Sequence, residues 1–269
     1  MISYPLIDPI AFSLGPLHFR WYGFMYLLGF AAAWLLARSR IRRSGQGGQS
    51  RLGARPWTNE EFDELVTWVF LGVIVGARAG YVLFYDPAML LEDPLELFRI
   101  WHGGMSFHGG FLGVLLAFCY VARKNRRSFL EIADFAAPLF PPGLFFGRIG
   151  NFINAEHWGT PSTLPWAMVF PGAGHLPRHP SQLYEALLEG AALFIILWIV
   201  SSRKRGRGLV SGLFALLYGI FRCAAELVRE PDAHIGYLAF GWLTVGQLLS
   251  APLILAGIWL VARSRKYPP

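Results

Sequence analysis

The chain is 269 residues long, 54% hydrophobic and only 15% charged, with a formal net charge of +7. Its apolar residues fall in blocks of roughly 20, the length that crosses the hydrocarbon of a bilayer, which excludes an ordinary soluble domain and marks an integral membrane protein. The basic residues stand in short runs between those blocks, which excludes a nucleic-acid surface, and the two cysteines, Cys119 and Cys223, lie inside apolar blocks and leave no disulfide framework or cysteine-rich metal site.

With Asp8 near the start, and neither a basic leader nor a small-residue cleavage pattern, the first apolar segment reads as retained. Seven spans are expected, at about residues 19–38, 62–85, 107–122, 130–153, 182–202, 208–228 and 240–262, in an all-α membrane protein that forms one polytopic domain over 1–269. An odd number of spans puts the termini on opposite sides.

Charge supplies the orientation. Arg38, Arg40, Arg42, Arg43, Arg51 and Arg55 follow the first span, and Arg123, Lys124, Arg126 and Arg127 follow the third. Arg203, Lys204, Arg205 and Arg207 follow the fifth, and Arg263, Arg265 and Lys266 the seventh, so that 17 of the 24 Lys and Arg share one side. That side is expected to be cytoplasmic, with the N-terminus outside and the C-terminus inside. The opposite side carries Asp8, Asp86, Glu92, Asp93, Glu96, Glu156, Glu230 and Asp232, with Trp21, Trp101, Trp158, Trp166 and Trp242 as an interfacial aromatic belt.

In chain order, Gly72, Gly76 and Gly80 give the second span a small-residue face suited to close helix packing. Pro138, Pro141 and Pro142, followed by Gly143, are expected to kink or break the fourth span within the membrane. Residues 155–180, between spans four and five, are rich in Pro and Gly and read as a small external head, with a strand from Leu164 to Phe170 before the Pro171-Gly172 turn.

The chemistry centres on Gly147–Gly159, where Arg148, Asn151, Asn154 and Glu156 interrupt apolar sequence. A guanidinium at a helix centre costs on the order of 2.5–3.5 kcal/mol on insertion scales, so Arg148 is expected to face a polar cavity with a partner or ligand. Arg222 stands near the same membrane level on the sixth span, with Tyr218 and Glu226 one helical turn to either side of it. Tyr22 opens the first span from outside, and His108 opens the third within Gly103-Gly104-Met105-Ser106-Phe107-His108-Gly109-Gly110. The bland alternative pairs Arg148 with Glu156 and Arg222 with Glu226, makes Tyr22 an interfacial anchor, and makes His108 a hydrogen-bonded structural histidine. The four glycines around His108 favour a site, because bare backbone admits a ligand and helix-start amides hold anions. Two arginines at headgroup depth suit a phosphate, and phospholipid is the phosphate available there. A histidine near its ordinary pKa of about 6.5 could accept a proton.

These residues resemble the bacterial prolipoprotein diacylglyceryl transferase family over nearly the whole chain. The resemblance runs from Arg20-Trp21-Tyr22-Gly23 through Gly103–Gly110 and Gly147–Asn154 to Arg178-His179-Pro180-Ser181-Gln182-Leu183-Tyr184-Glu185. It closes with Tyr218–Arg222 and Glu226 to Asp232. It implies transfer of the diacylglyceryl group from phosphatidylglycerol to the lipobox cysteine thiol of prolipoproteins, forming a thioether and glycerol phosphate. No metal or organic cofactor is implied, and the nucleophile belongs to the substrate protein. The implied partners are phosphatidylglycerol, prolipoprotein signal peptides and the bilayer, in the bacterial inner membrane with the active site toward the periplasm. Arg148 and Arg222 would hold the phosphate and His108 would take the thiol proton, while Tyr22, Asn151, Glu156, Gly159, Tyr218 and Glu226 would shape the pocket. Whether His108 is the base, or the arginine field lowers the thiol pKa enough without one, stays open at this point.

A transporter or flippase of anionic phospholipid would also want paired arginines and a broken helix, but the sequence lacks a convincing internal repeat. An intramembrane protease is disfavoured, because Ser106 and His108 are too local to make a nucleophile–base pair.

Overall fold

The computed structural model describes residues 2–45, 55–89, 93–203, 205–231 and 236–264. Arg51, Glu92, Lys204, Asp232, Arg265 and Lys266, which entered the charge pattern above, lie outside the described residues. Six helical stretches are long and apolar enough to cross a membrane: Trp21–Arg43, Asn59–Phe84, Phe129–Ile153, Ser181–Ser201, Leu209–Glu226 and Val245–Ser264. The third expected span is also helical, over Phe107–Lys124, but it opens with His108 and closes on Arg123 and Lys124 and is not among the six.

The all-α expectation needs one addition, because short strands flank the helices. A hairpin of β2 (Ile10–Leu14) and β3 (Leu17–Arg20) leads directly into α1 (Trp21–Gly45), and β1 (Ile2–Ser3) pairs in parallel with β4 (Met168–Val169) in the 155–180 segment. The strand expected from Leu164 to Phe170 is thereby reduced to two residues. Pro165 has no N–H to donate, and Ala167 turns its own N–H back to the Leu164 carbonyl at 3.0 Å, so the chain is committed to a turn there.

Packing divides the described chain into two compact units, a larger one of residues 2–40 and 134–264 and a smaller one of 41–45 and 55–133. In the smaller unit α2 (Asn59–Phe84) lies on α3 (Phe107–Lys124) with backbones in contact. A Cβ atom at Gly76 would stand 2.4 Å from the Gly109 carbonyl oxygen, and one at Gly72 would stand 2.5 Å from that of Gly113. The small-residue face therefore packs as expected. The partner is a correction: Gly109 and Gly110, read above as room for a ligand, are buried, with Gly109 against the backbone of α2 and Gly110 beside Val73 and Ala77, and Gly104 is filled by Tyr81 and Arg78. Arg78, 3% exposed, donates to the carbonyls of Glu96, Leu97, Gly103 and Gly104 and so closes the 94–104 segment over the end of α2.

The fourth span, which belongs to the larger unit from Asp134 on, breaks as its prolines require, into α4 (Phe129–Ala136), a 3₁₀ turn at Ala137–Leu139, and α5 (Phe140–Ile153). The fifth span is interrupted as well: α6 (Ser181–Glu185) passes into a π-helical turn, Ala186–Ala192, before α7 (Leu193–Ser201). α8 (Leu209–Glu226) and α9 (Val245–Ser264) approach closely, since a Cβ atom at Gly257 would lie 2.5 Å from the Leu216 nitrogen. Asp134, 2% exposed, accepts from Gly208 N at 2.6 Å and from Ser211 N at 2.8 Å, tying α4 to the start of α8. Cys119 and Cys223 form no disulfide and are half-buried.

Candidate active site

The larger unit gathers three arginines and three glutamates where α5, the α6–π segment and α8 meet. Arg148 comes from α5, Glu185 and Glu189 from the interrupted fifth span, and Arg222 and Glu226 from the last turns of α8, with Arg229 just beyond. Close approach makes this possible. A Cβ atom at Gly190 would meet the Phe145 Cβ at 2.6 Å, so glycine lets the π turn press against α5 one residue after Glu189 and three before Arg148. π turns inside α-helices are frequent at functional sites because they shift the register of the side chains that follow.

Glu185 Oε2 is the hub. Arg148 Nη2 and Arg222 Nη1 each lie 2.8 Å from it, and Arg229 Nη1 lies at 3.5 Å. Glu189 takes Arg148 Nη2 on Oε2 at 3.3 Å and has Arg222 at 3.6 Å from Oε1. Glu226 pairs with Arg222 one helical turn earlier, accepts from Thr244 Oγ1 at 2.6 Å, and has Arg229 Nε at 3.9 Å. Both inner glutamates are fully buried, whereas the side chains of Arg148, Arg222 and Arg229 keep 19%, 13% and 10% of their surface. Three cations and three anions cancel, which offsets the several kcal/mol that each buried ion would otherwise cost. The guanidiniums are thus fixed by carboxylates, while their side chains keep part of their surface. Arg148 spends only Nη2 on the glutamates; among the described residues its Nε and Nη1 have no hydrogen-bond partner. Those donors are what an incoming phosphate oxygen requires.

The other side of Glu226 is shaped by the start of α9. Thr244 and Gln247 form a reciprocal cap, with Thr244 N donating to Gln247 Oε1 at 3.0 Å and Gln247 N to Thr244 Oγ1 at 3.2 Å. The same hydroxyl then donates to Glu226, and a Cβ atom at Gly246 would strike the Glu226 carboxyl at 2.7 Å. Arg229 is held from the 155–180 segment, with its Nη2 3.1 Å from His157 Nδ1. Burial, together with the charges of Arg222 and Arg148, pushes its guanidinium below its ordinary pKa, while Glu185 and Glu226 act the other way.

The remaining expected residues divide into neighbours of this cluster and others. Arg148 does not pair with Glu156. That carboxylate accepts from Asn151 Nδ2 at 2.8 Å and from Asn154 Nδ2 at 3.4 Å, while its backbone carbonyl takes Gln182 Nε2 at 2.6 Å. The reason is reach: Glu156 sits past the end of α5, turned back by Ala155 at φ +52°, whereas the fifth span brings its own carboxylates to Arg148. Tyr22, on the first turn of α1, packs against Gly150, shares a hydrogen bond with Tyr26 at 3.0 Å, and has Asn151 and Glu156 as electrostatic neighbours. Tyr218 stands on α8 one turn before Arg222, with Glu189 and Glu185 facing it. Gly159 acts through its backbone: its N–H donates to the His179 carbonyl at 2.9 Å, it bridges to Arg229, and a Cβ atom there would lie 2.4 Å from the Val228 carbonyl. His108 belongs to the smaller unit, on the exposed first turn of α3, with its ring beside Phe107.

Glu185 and Glu189 were not singled out from the sequence as site residues, although the signal was available. Two carboxylates four apart inside an apolar span are as improbable as an arginine there, and the cost argument used for Arg148 applies to them unchanged. Arg229 and Thr244 carried no such signal, lying in connecting sequence.

Among proteins of known family, a model described as prolipoprotein diacylglyceryl transferase matches residues 9–263. Curated relatives named phosphatidylglycerol–prolipoprotein diacylglyceryl transferase are similar along their whole length. That of Nitratidesulfovibrio vulgaris strain Miyazaki F is 59% identical over 265 residues, 98% of this chain and 97% of the relative. Those of Solidesulfovibrio magneticus and Pseudomonas putida strain F1 are 60% identical over 265 residues and 54% identical over 264, covering 98% and 97% of this chain and 97% and 95% of theirs.

Proposed function

The chain belongs to the prolipoprotein diacylglyceryl transferase family, and from that premise we propose that it transfers the diacylglyceryl group of phosphatidylglycerol to prolipoproteins, the first step of lipoprotein maturation. The acceptor is the thiol of the lipobox cysteine carried by the signal peptide. A thioether forms, the bond between the diacylglyceryl carbon and phosphate oxygen breaks, and glycerol phosphate leaves. The protein is a multi-pass transferase of the bacterial inner membrane, a single polytopic domain with its N-terminus outside, its C-terminus cytoplasmic, residues 155–180 as a small periplasmic head, and the site toward the periplasm. The family match favours catalysis over passive lipid transport.

The single observation that carries the reading is Glu185 Oε2 holding Arg148 and Arg222, from separate spans, at 2.8 Å each. The two guanidiniums are therefore positioned before any lipid arrives. The phosphate of phosphatidylglycerol carries one negative charge as a diester and gains charge as the carbon–oxygen bond breaks. Donors fixed in advance in a poorly hydrated site stabilise that developing charge without reorganising, usually the largest single contribution to such a rate. Arg148 and Arg222 grip the phosphate; Tyr22, Asn151, Glu156, Gly159, Tyr218 and Glu226 shape the pocket around them. A free thiol with a pKa of about 8.5 is mostly protonated at neutral pH, and His108 is the group assigned to remove its proton. The residues assigned to the site are arginines, carboxylates, an amide, tyrosines, a glycine and His108, and the reading uses no cofactor.

The test is reconstitution of the purified chain in phosphatidylglycerol vesicles with a lipobox peptide. The expected result is a peptide mass gain equal to one diacylglyceryl group on the thiol. Lipid movement between leaflets with no mass gain would replace the enzyme by a transporter.

A further inference from the structure

Binding a phosphate to this cluster upsets its charge balance. At rest the three guanidiniums of Arg148, Arg222 and Arg229 meet the three carboxylates of Glu185, Glu189 and Glu226. A lipid phosphodiester adds one negative charge in a poorly hydrated place, where an uncompensated charge is expensive and a proton is the cheapest remedy.

The three carboxylates are not equally equipped to stay ionised. Glu185 Oε2 has all three arginines within 3.5 Å. Glu226 has Arg222, Arg229 and the Thr244 hydroxyl. Glu189 has one hydrogen bond, a long one of 3.3 Å from Arg148; its Oε1, like that of Glu185, is enclosed with no hydrogen-bond partner, so what sets Glu189 apart is the weaker hold on its Oε2. The groups facing it are Arg148 from α5, Glu185 from its own segment, and Arg222 and Tyr218 from α8. When a phosphate draws Arg148 and Arg222 toward itself, Glu189 loses most of what stabilises its charge, while Glu226 keeps Thr244 and Glu185 keeps Arg229. Its orphaned oxygen is also the place where a proton would turn an unsatisfied acceptor into a donor.

We propose that Glu189 is the proton-accepting carboxyl of the site, taking up one proton from solvent when a lipid phosphodiester settles on Arg148 and Arg222. The proton keeps the buried cluster neutral. The assignment rests on the phosphate-binding reading above and deepens it, since it makes substrate affinity depend on pH through a group distinct from His108.

The experiment uses the full chain in detergent and a soluble short-chain phosphatidylglycerol, whose diester does not titrate near neutral pH. Binding should take up a proton from a weakly buffered solution and produce a carboxylic-acid carbonyl stretch in the infrared difference spectrum. Glu189→Gln should abolish both, and Glu96→Gln, at a carboxylate outside the cluster that pairs with Arg99, should leave both in place. The wild-type affinity should weaken toward alkaline pH, and that slope should flatten in Glu189→Gln. Proton uptake that persists in Glu189→Gln while the lipid still binds overturns the assignment. If Glu189→Gln does not accumulate, the wild-type spectrum decides: binding with no acid stretch overturns it. The peptide assay keeps the two readings apart, because transfer without proton uptake sinks this inference alone, whereas uptake without transfer sinks the reaction and leaves the proton site.

Discussion

Gly190 and Phe145 touch backbone to backbone, since a Cβ atom on the glycine would lie 2.6 Å from the Phe145 Cβ and 2.8 Å from its Cα. That contact fixes how far the π turn sits from α5, and with it the distance from Glu189 to Arg148. Gly190→Ala has no flexible side-chain end to push aside, so the two segments must separate. We expect a loss of about 1–3 kcal/mol in stability, the usual cost of overpacking, with a larger fractional loss of transfer than the lower melting temperature explains. Thermal unfolding and peptide transfer on the same preparation check this.

Arg222 differs from a simple positive charge because its fork reaches Glu185 with one nitrogen and Glu226 with the other. Arg222→Lys keeps the charge but satisfies only one of these at a time. Steady-state transfer should fall by about 10²–10³, the size seen when one donor to a developing anion is removed. An activity within a few-fold of wild type would show that charge alone suffices.

Removing the hub should be a stability event. Glu185→Ala leaves Arg148, Arg222 and Arg229 without their shared acceptor, and unpairing buried ions of this kind costs about 3–5 kcal/mol. Glu185→Gln should be milder, since its amide oxygen still accepts from one arginine. Denaturation midpoints of the two variants against wild type give the comparison, and equal values would mean that the carboxylate charge is not what holds the cluster.

The N-terminal strand helps to close α5. The Tyr4 hydroxyl lies 2.6 Å from the Phe152 carbonyl and 3.0 Å from that of Ile153, covering the exposed end of the helix that carries Arg148. Tyr4→Phe removes this donor from both carbonyls, of which Phe152 keeps the Ala155 N–H at 3.0 Å, and should cost about 1 kcal/mol, with transfer nearly unchanged. Amide exchange at the end of α5 should quicken; unchanged exchange there would remove Tyr4 from this role.

The 155–180 segment has its own pH dependence. Burial lowers the pKa of His179, whose Nδ1 lies 3.3 Å from the Tyr184 hydroxyl. The unfolded chain, with a pKa of about 6.5, then binds a proton that the folded state declines, so stability is complete above that value and declines as pH falls through it. The loss stops growing once pH passes below the folded value. His179→Asn should lose less stability than wild type between neutral and mildly acid pH in paired melting curves; equal losses would place the sensitivity elsewhere.

Much of this protein was readable from its residues. Block length gave the helical membrane spans, Pro138, Pro141 and Pro142 gave the break before Arg148, and Gly72, Gly76 and Gly80 gave a packing face, because each follows from local sterics or from the cost of polar groups in lipid. Arg148 and Arg222 were legible for the same reason as cations that must find partners. Their partners were not. Only the folded chain decides that Arg148 meets Glu185 and Glu189 rather than Glu156, that Gly109 faces Gly76 rather than a ligand, and that Arg229 and Thr244 complete the cluster. Sequence states what each residue costs to bury, a property of one side chain and its solvent. Which residue offsets that cost depends on the register of the π turn and on how closely Gly190 lets two helices meet, and those are properties of the packed chain alone.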